Sequence, residues 1–218
     1  MRKNLFSCLL VVATILLPFS LVHADSKVSG QISNDVEVEK STNKATAIMG
    51  NSESNLGSVK INDSKVSGTV VNQAVIDKSK NSSTAIMGNA NANMGSTRIE
   101  DSKITSKGQL NNAADIKKSS NSAFTVMGNA NANMGSTQIS ESKVSGTVSN
   151  EADIDKSSNR AIAIMGHSEA NTGSVVMDHS KINSGGQIMN DATVTSSSNR
   201  AMSVMGAATA NSGSVSVK

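Results

Sequence analysis

Between Lys143 and Asp155 small or hydrophobic positions alternate with polar ones. Val144, Gly146, Val148, Asn150, Ala152 and Ile154 share one parity, and polar residues mostly take the other. A period of two predicts a β-strand with one buried face. Short β-rich runs such as RAIAIMG and GSVVMD continue the pattern, separated by Asn, Gly and Ser. Ser, Asn, Gly, Thr and Val are all poorer helix formers than Ala or Leu, so the helical alternative is weak.

The pattern recurs. Met-Gly pairs begin at Met49, Met87, Met127, Met165 and Met205, with spacings of 38, 40, 38 and 40 residues. Units three and five carry two extra residues, in ITSKGQL and INSGGQI. Each unit divides again. One half holds Asn-x-(Ala/Gly/Val)-x-(Ile/Val), starting at Asn34, Asn72, Asn112, Asn150 and Asn190. The other holds Asn-x-Gly-Ser, starting at Asn55, Asn93, Asn133, Asn171 and Asn211. Self-similarity at this period is the signature of a stacked repeat. A half-unit of about 20 residues buries almost nothing alone, but stacked on its copies it can pair its backbone above and below. The expected fold is all-β, a β-solenoid of stacked strand-turn-strand rungs: about ten half-units in five repeats. If every half-unit is one rung, ten rungs about 4.8 Å apart make a rod of roughly 48 Å. Asn is expected at the corners, where it tolerates left-handed backbone and pairs its amide with the Asn one rung away.

The first 24 residues are set apart. Arg2 and Lys3 precede an apolar run, LLVVATILLPFSLV, which ends in VHA. This reads as a secretory signal peptide cut before Asp25, leaving residues 25–218 as one repeat domain and a secreted, extracellular or cell-surface product that passes through the periplasm. Cutting there removes Cys8, Pro18 and two of the three Phe, leaving Phe124 as the single aromatic residue. It also removes Arg2 and Lys3 but no acid, so the formal charge falls from +3 to +1. With charges interspersed and no aromatic platform, nucleic acid is not an expected partner. Without cysteine a disulfide scaffold is excluded. No membrane insertion is expected once the leader is gone.

Candidate chemistry is sparse. The column of Met49, Gly50, Met87, Gly88, Met127, Gly128, Met165, Gly166, Met205 and Gly206 should align on every second rung. Thioethers bind soft copper(I), but the expected role is structural, with Met filling irregular core space beside a Gly turn. His167 and His179 occupy no repeated histidine position, and Asp115, Asp153 and Asp155 fit no EF-hand or Gly-Gly-x-Gly-x-Asp calcium loop. No Gly-x-Ser-x-Gly elbow, phosphate loop or His-Glu-x-x-His is present. Neither catalytic residues, a metal site nor a cofactor is expected. Lys27, Lys65, Lys103, Lys143 and Lys181 predict a cationic column that aids solubility and blunts lateral association. An ice-binding face needs a column of Thr-x-Thr triplets, and only TVT at 193 fits.

The repeats run from DSKVSG to NSGSVSVK without an atypical capping segment, which predicts open ends that invite end-to-end addition. A signal peptide followed by uncapped Asn/Gly/Ala/Ser-rich repeats of about 20 residues resembles the secreted subunits of bacterial functional amyloids, the curli-like and Fap-like fibre proteins. MGNANAN and NMGS are the strings nearest the curlin framework. The resemblance implies a self-assembling extracellular fibre in biofilm or surface adhesion, with secretion or nucleation helper proteins as partners. The alternative is a monomeric adhesin rod that recognises a glycan or another surface. A β-helical polysaccharide lyase needs long catalytic loops, and unit lengths here vary only between 38 and 40.

Overall fold

In a computed structural model that describes residues 20–22, 26–183 and 185–217, the chain winds into a β-solenoid whose strands all pair in parallel. Each coil contributes one strand to each of five sheets. The first sheet contains Ser26–Val28, Ser64–Val66, Lys103–Ile104, Lys143–Val144 and Lys181–Ile182. The second contains the longest strands, Gln31–Glu39, Thr69–Asp77, Gln109–Lys117, Thr147–Asp155 and Gln187–Thr195. Thr42–Met49, Lys80–Met87, Ser120–Met127, Ser158–Met165 and Ser198–Met205 form the third. Ser52–Leu56, Ala90–Met94, Ala130–Met134, Ser168–Thr172 and Ala208–Ser212 form the fourth. The fifth holds Val59–Asn62, Thr97–Glu100, Thr137–Ser140, Val175–Asp178 and Val215–Val217, with Ser20–Val22 added as a sixth strand beside Val59–Asn62.

The two halves of a unit are therefore not two rungs. One coil is a whole unit of 38–40 residues, and partners in neighbouring strands differ by that number, as in Asn72 against Asn112 and Asn112 against Asn150. Five coils at about 4.8 Å per step make a stack about 24 Å tall, half the expected height. The physical reason lies in the core. The two half-units of a coil pack their inner faces against each other, and neither could bury its apolar residues against a copy of itself.

The alternation seen in 143–155 is borne out: Val144, Val148, Asn150, Ala152 and Ile154 are buried. The interior splits into three zones. Val59, Ile61, Val66, Val70 and their successors form one. Val36, Leu56, Ile76, Met94, Ile116 and Met134 belong to the second. The third, between the third and fourth sheets, is lined by alanines such as Ala92, Ala123, Ala132 and Ala161, which let those two layers approach closely.

Corners are made differently from expectation. Apart from glycines, the left-handed positions among the described residues are Lys40, Lys78, Lys118, Lys156 and Ser196 after the second sheet, and Asp63, Asp101, Glu141 and His179 after the fifth, with φ of 47–51°. The residue after each is a serine that stands in for a missing ladder bond. The Ser79 hydroxyl donates to the Asp77 carbonyl (2.9 Å) and accepts the Ser41 amide (3.1 Å) from the neighbouring coil. The repeated asparagines lie inside strands instead, because their amides are needed between coils.

Candidate interaction surfaces

The ten repeated asparagines do not alternate in one ladder of half-unit rungs; they form two ladders, each linking residues one whole coil apart. Asn34, Asn72, Asn112, Asn150 and Asn190 point inward between the first two core zones. Each Nδ2 donates to the Oδ1 of the next coil at 2.7–2.8 Å. Thr97 and Thr137 hydroxyls add donors to Asn112 and Asn150 at 3.0 and 3.2 Å. Asn55, Asn93, Asn133, Asn171 and Asn211 sit on the opposite parity of the fourth sheet, and the amides of the last four donate toward the earlier coil at 2.7–2.9 Å, while that of Asn55 donates to Glu53 at 3.2 Å. The two ladders thus have opposite polarity along the axis.

A third ladder escaped the sequence reading. Asn43, Asn81, Asn121, Asn159 and Asn199 lie inside the alanine zone, linked at 2.9–3.2 Å. Asn81 Nδ2 also reaches the carbonyls of Ser54 and Asn93, both at 2.9 Å, so it ties the third sheet to the fourth across the core. Its signal was present: each of these residues follows the first Asn of its unit by nine positions.

The Met-Gly column aligns on every coil, Met49 on Met87, Met127 on Met165 and onward. It is not core. Met127 is 39% exposed, Met49 75% and Met205 65%, and Ile48, Ile86, Ile164 and Val204 beside them are exposed too. Each Ile or Val already lies on the outward parity of its strand, and the Met turns out where the strand ends at the corner. The glycine that follows is fixed by its neighbour. A Cβ on Gly128 (φ 130°) would lie 2.2 Å from the Gly88 carbonyl oxygen, and one on Gly166 only 2.0 Å from that of Gly128. The second repeated glycine meets the first half-unit: a Cβ on Gly135 would stand 3.2 Å from the Ala152 Cβ. Asn-x-Ala and Asn-x-Gly-Ser are therefore two sides of one contact.

The predicted cationic column exists. Lys27, Lys65, Lys103, Lys143 and Lys181 are register partners, and the last four are exposed. His167 takes a corner position held by Asn in the earlier coils, its amide donating to Asn129 Oδ1 at 3.1 Å. His179 is a left-handed corner residue 2.9 Å from Asp178. Among the described residues no three His, Cys, Asp or Glu side chains are grouped to hold a metal ion, and no helix is long and apolar enough to cross a membrane.

Charge is segregated by face. The outward positions of the second sheet carry nine carboxylates and one lysine, Lys117, which pairs with Asp115 at 2.8 Å. Asp35, Ala113, Glu151 and Asp191 line one side of a shallow groove there, and Val75, Asp115, Asp153 and Thr193 the other. The outward positions of the third sheet carry Lys44, Lys80, Arg160 and Arg200 and no carboxylate. At the corner between them Lys40 bonds Glu39 (2.9 Å) and Lys78 bonds Asp77 (2.8 Å), and these ammonium groups hold both carboxyls below their ordinary range. A second, polar hollow lies against the fourth and fifth sheets, lined by Arg98, Asn131, Gln138, Glu169 and Thr209 among others. Arg98 Nη2 bonds Glu100, while its Nε and Nη1 have no hydrogen-bond partner.

A scan against protein-family models, a search of curated proteins and a search of solved structures each returned no match.

Proposed function

We propose that this protein is a secreted, non-enzymatic structural subunit that adds end to end into extracellular fibres of functional-amyloid type, serving a biofilm matrix or surface adhesion. The polarity of the amide ladders carries the reading. In the first Asn ladder every coil offers Nδ2 toward the later coil and Oδ1 toward the earlier one. Asn190 of one copy can therefore meet Asn34 of another as Asn150 meets Asn190, and the reversed ladder from Asn55 to Asn211 matches in the same docking. A second copy can continue both ladders, as stacked cross-β segments do. Secretion or nucleation helpers are the further partners of this reading.

The test uses residues 25–218 at micromolar concentration. Thioflavin-positive fibres with a meridional spacing near 4.8 Å support the proposal. A soluble monomer that persists for days overturns it. The second reading, a monomeric rod that binds a glycan, draws on the polar hollow with its amides and half-satisfied Arg98. Glycan retention by the monomer, lost in Arg98→Ala, supports that reading instead.

A further inference from the structure

We propose that copies of this protein also pack side by side, the third-sheet face of one against the second-sheet face of its neighbour. The contact does not depend on end-to-end addition. Three features of the two faces lead to it.

The first is apolar surface. Ile48, Met49, Ile86, Met87, Val204 and Met205 belong to an exposed stripe two residues wide that continues through every coil. Phe124, Ile162 and Met202 extend it inward from the corner on the last three coils. An apolar band of this length marks an association surface rather than scattered exposure. Strands of eight residues stacked five deep cover on the order of 600 Å² of flat footprint at strand spacings. Each partner of a stable interface contributes about 800 Å². One copy therefore offers a weak contact, and each copy added end to end enlarges it.

The second is charge. The stripe is flanked by Lys44, Arg160 and Arg200, with no carboxylate on that sheet's outer face. Pairing two stripes face to face would set these cations against each other. The acidic face of a second copy removes that conflict. Asp35, Glu37, Glu151, Asp153 and Asp191 make no ion pair among the described residues, and the groove between their columns has Ala113 and Val75 in its lining. Methionine and isoleucine side chains enter the groove while the lysine and arginine heads reach its rims. Met suits such a site because its unbranched thioether adapts to irregular surfaces.

The third is periodicity. Both faces repeat with the same rise per coil, so one register brings all five coils into correspondence. The contact joins two different faces, so it is heterologous and each copy that joins leaves one face of each kind free to take another. The groups are exposed, so the contact weakens with salt.

Charge reversal tests it. One variant carries Glu151→Lys, Asp153→Lys and Asp191→Lys; the other carries Lys44→Glu, Arg160→Glu and Arg200→Glu. Sedimentation at low salt reads lateral association of short species, and electron microscopy reads bundling of any filaments. Wild type is expected to associate and to dissociate at high salt. Each variant alone should remain dispersed, and an equimolar mixture should associate again. Single, unbundled filaments in both variants would show end-to-end growth without lateral contact, which separates this proposal from the fibre reading. Variants that associate like wild type, or a mixture that gains nothing over its components, overturn the proposal. So does binding to phosphatidylglycerol vesicles that the cationic-face variant alone loses, with no rescue by mixing, since the stripe then serves an anionic lipid surface. Circular dichroism confirms folding, and the neutral set Glu151→Gln, Asp153→Asn and Asp191→Asn replaces any reversed variant that fails to fold.

Discussion

Asn72 Nδ2 donates to Asn112 Oδ1 at 2.8 Å, although forty residues separate them, and both side chains are buried. A buried amide must be paired or it costs free energy, and here each amide is paired only when the next coil is in register. The ladder is therefore a register device as well as a source of stability. A slip of one residue would move the amides to the outer face and the acids of that sheet into the core.

Asn150→Asp tests this. Asn150 donates to Asn190 at 2.8 Å and accepts from Asn112 at 2.8 Å. An aspartate there at neutral pH keeps the acceptor, loses the donor and buries an unpaired charge, a change that costs about 3–5 kcal/mol. Ser158→Asp, on the exposed first residue of its strand, is expected within about 0.5 kcal/mol of wild type. Denaturant midpoints compare the two, and equal midpoints would remove the ladder from the account of stability.

The Met-Gly column makes a prediction opposite to the one its composition suggests. Met127→Ala, at an exposed corner, is expected to change stability by less than about 0.5 kcal/mol. Met134→Ala, fully buried in the second core zone, should cost about 2–5 kcal/mol. Thermal melts of the two variants decide which methionine packs the interior. A large loss at Met127 would mean that the corner is covered in the folded protein.

Gly128→Ala is expected to be far more damaging than Gly185→Ala. Both glycines have positive φ, so both substitutions incur backbone strain. Only at Gly128 would the new methyl group lie 2.2 Å from a carbonyl oxygen of the neighbouring coil, whereas nothing stands within 4 Å at Gly185. The difference between the two melting temperatures isolates the closeness of the coils from the strain of the turn. Similar melting temperatures would show that the stack can open at this corner.

The fold class was legible in the sequence because a solenoid repeats its own constraints. The parity of Val144 to Ile154, the recurrence of Asn34 and its successors and the column of lysines each survive in the structure. The coil length was not legible. Asn55 follows Asn34 by 21 residues with a similar motif, so the two halves look like copies, yet Gly57 of one half packs on Val36 and Ala74 of the other. Only the third dimension separates stacking on a copy from packing on a complement. The exposure of Met49 was hidden for a related reason. An apolar pair, Ile48-Met49, reads as interior in a sequence, yet Ile48 shares the outward parity of Lys44 and Thr46, and Met49 turns outward where Gly50 ends the strand. The segregation of charge by face was hidden too, because acids and lysines alternate along the chain and part only when the corner at Lys40 turns them onto different sheets.

The last prediction concerns the strand Ser20–Val22. It pairs in parallel with Val59–Ile61, on the side of the fifth sheet where the equivalent strand of a preceding coil would lie. In end-to-end addition that position belongs to Val215–Val217 of another copy, which pairs with Val175–Met177 in its own chain. The proposed cut before Asp25 lies outside the described residues, but it would remove this strand and expose the backbone edge of Val59–Asn62. A chain beginning at Ser20 is therefore expected to elongate fibres more slowly than one beginning at Asp25, with the same stability of the remaining coils. Seeded thioflavin kinetics compare the two at equal concentration. Equal elongation rates would mean that Ser20–Val22 does not compete for the docking edge, and faster elongation of the longer chain would make that strand part of the contact between copies.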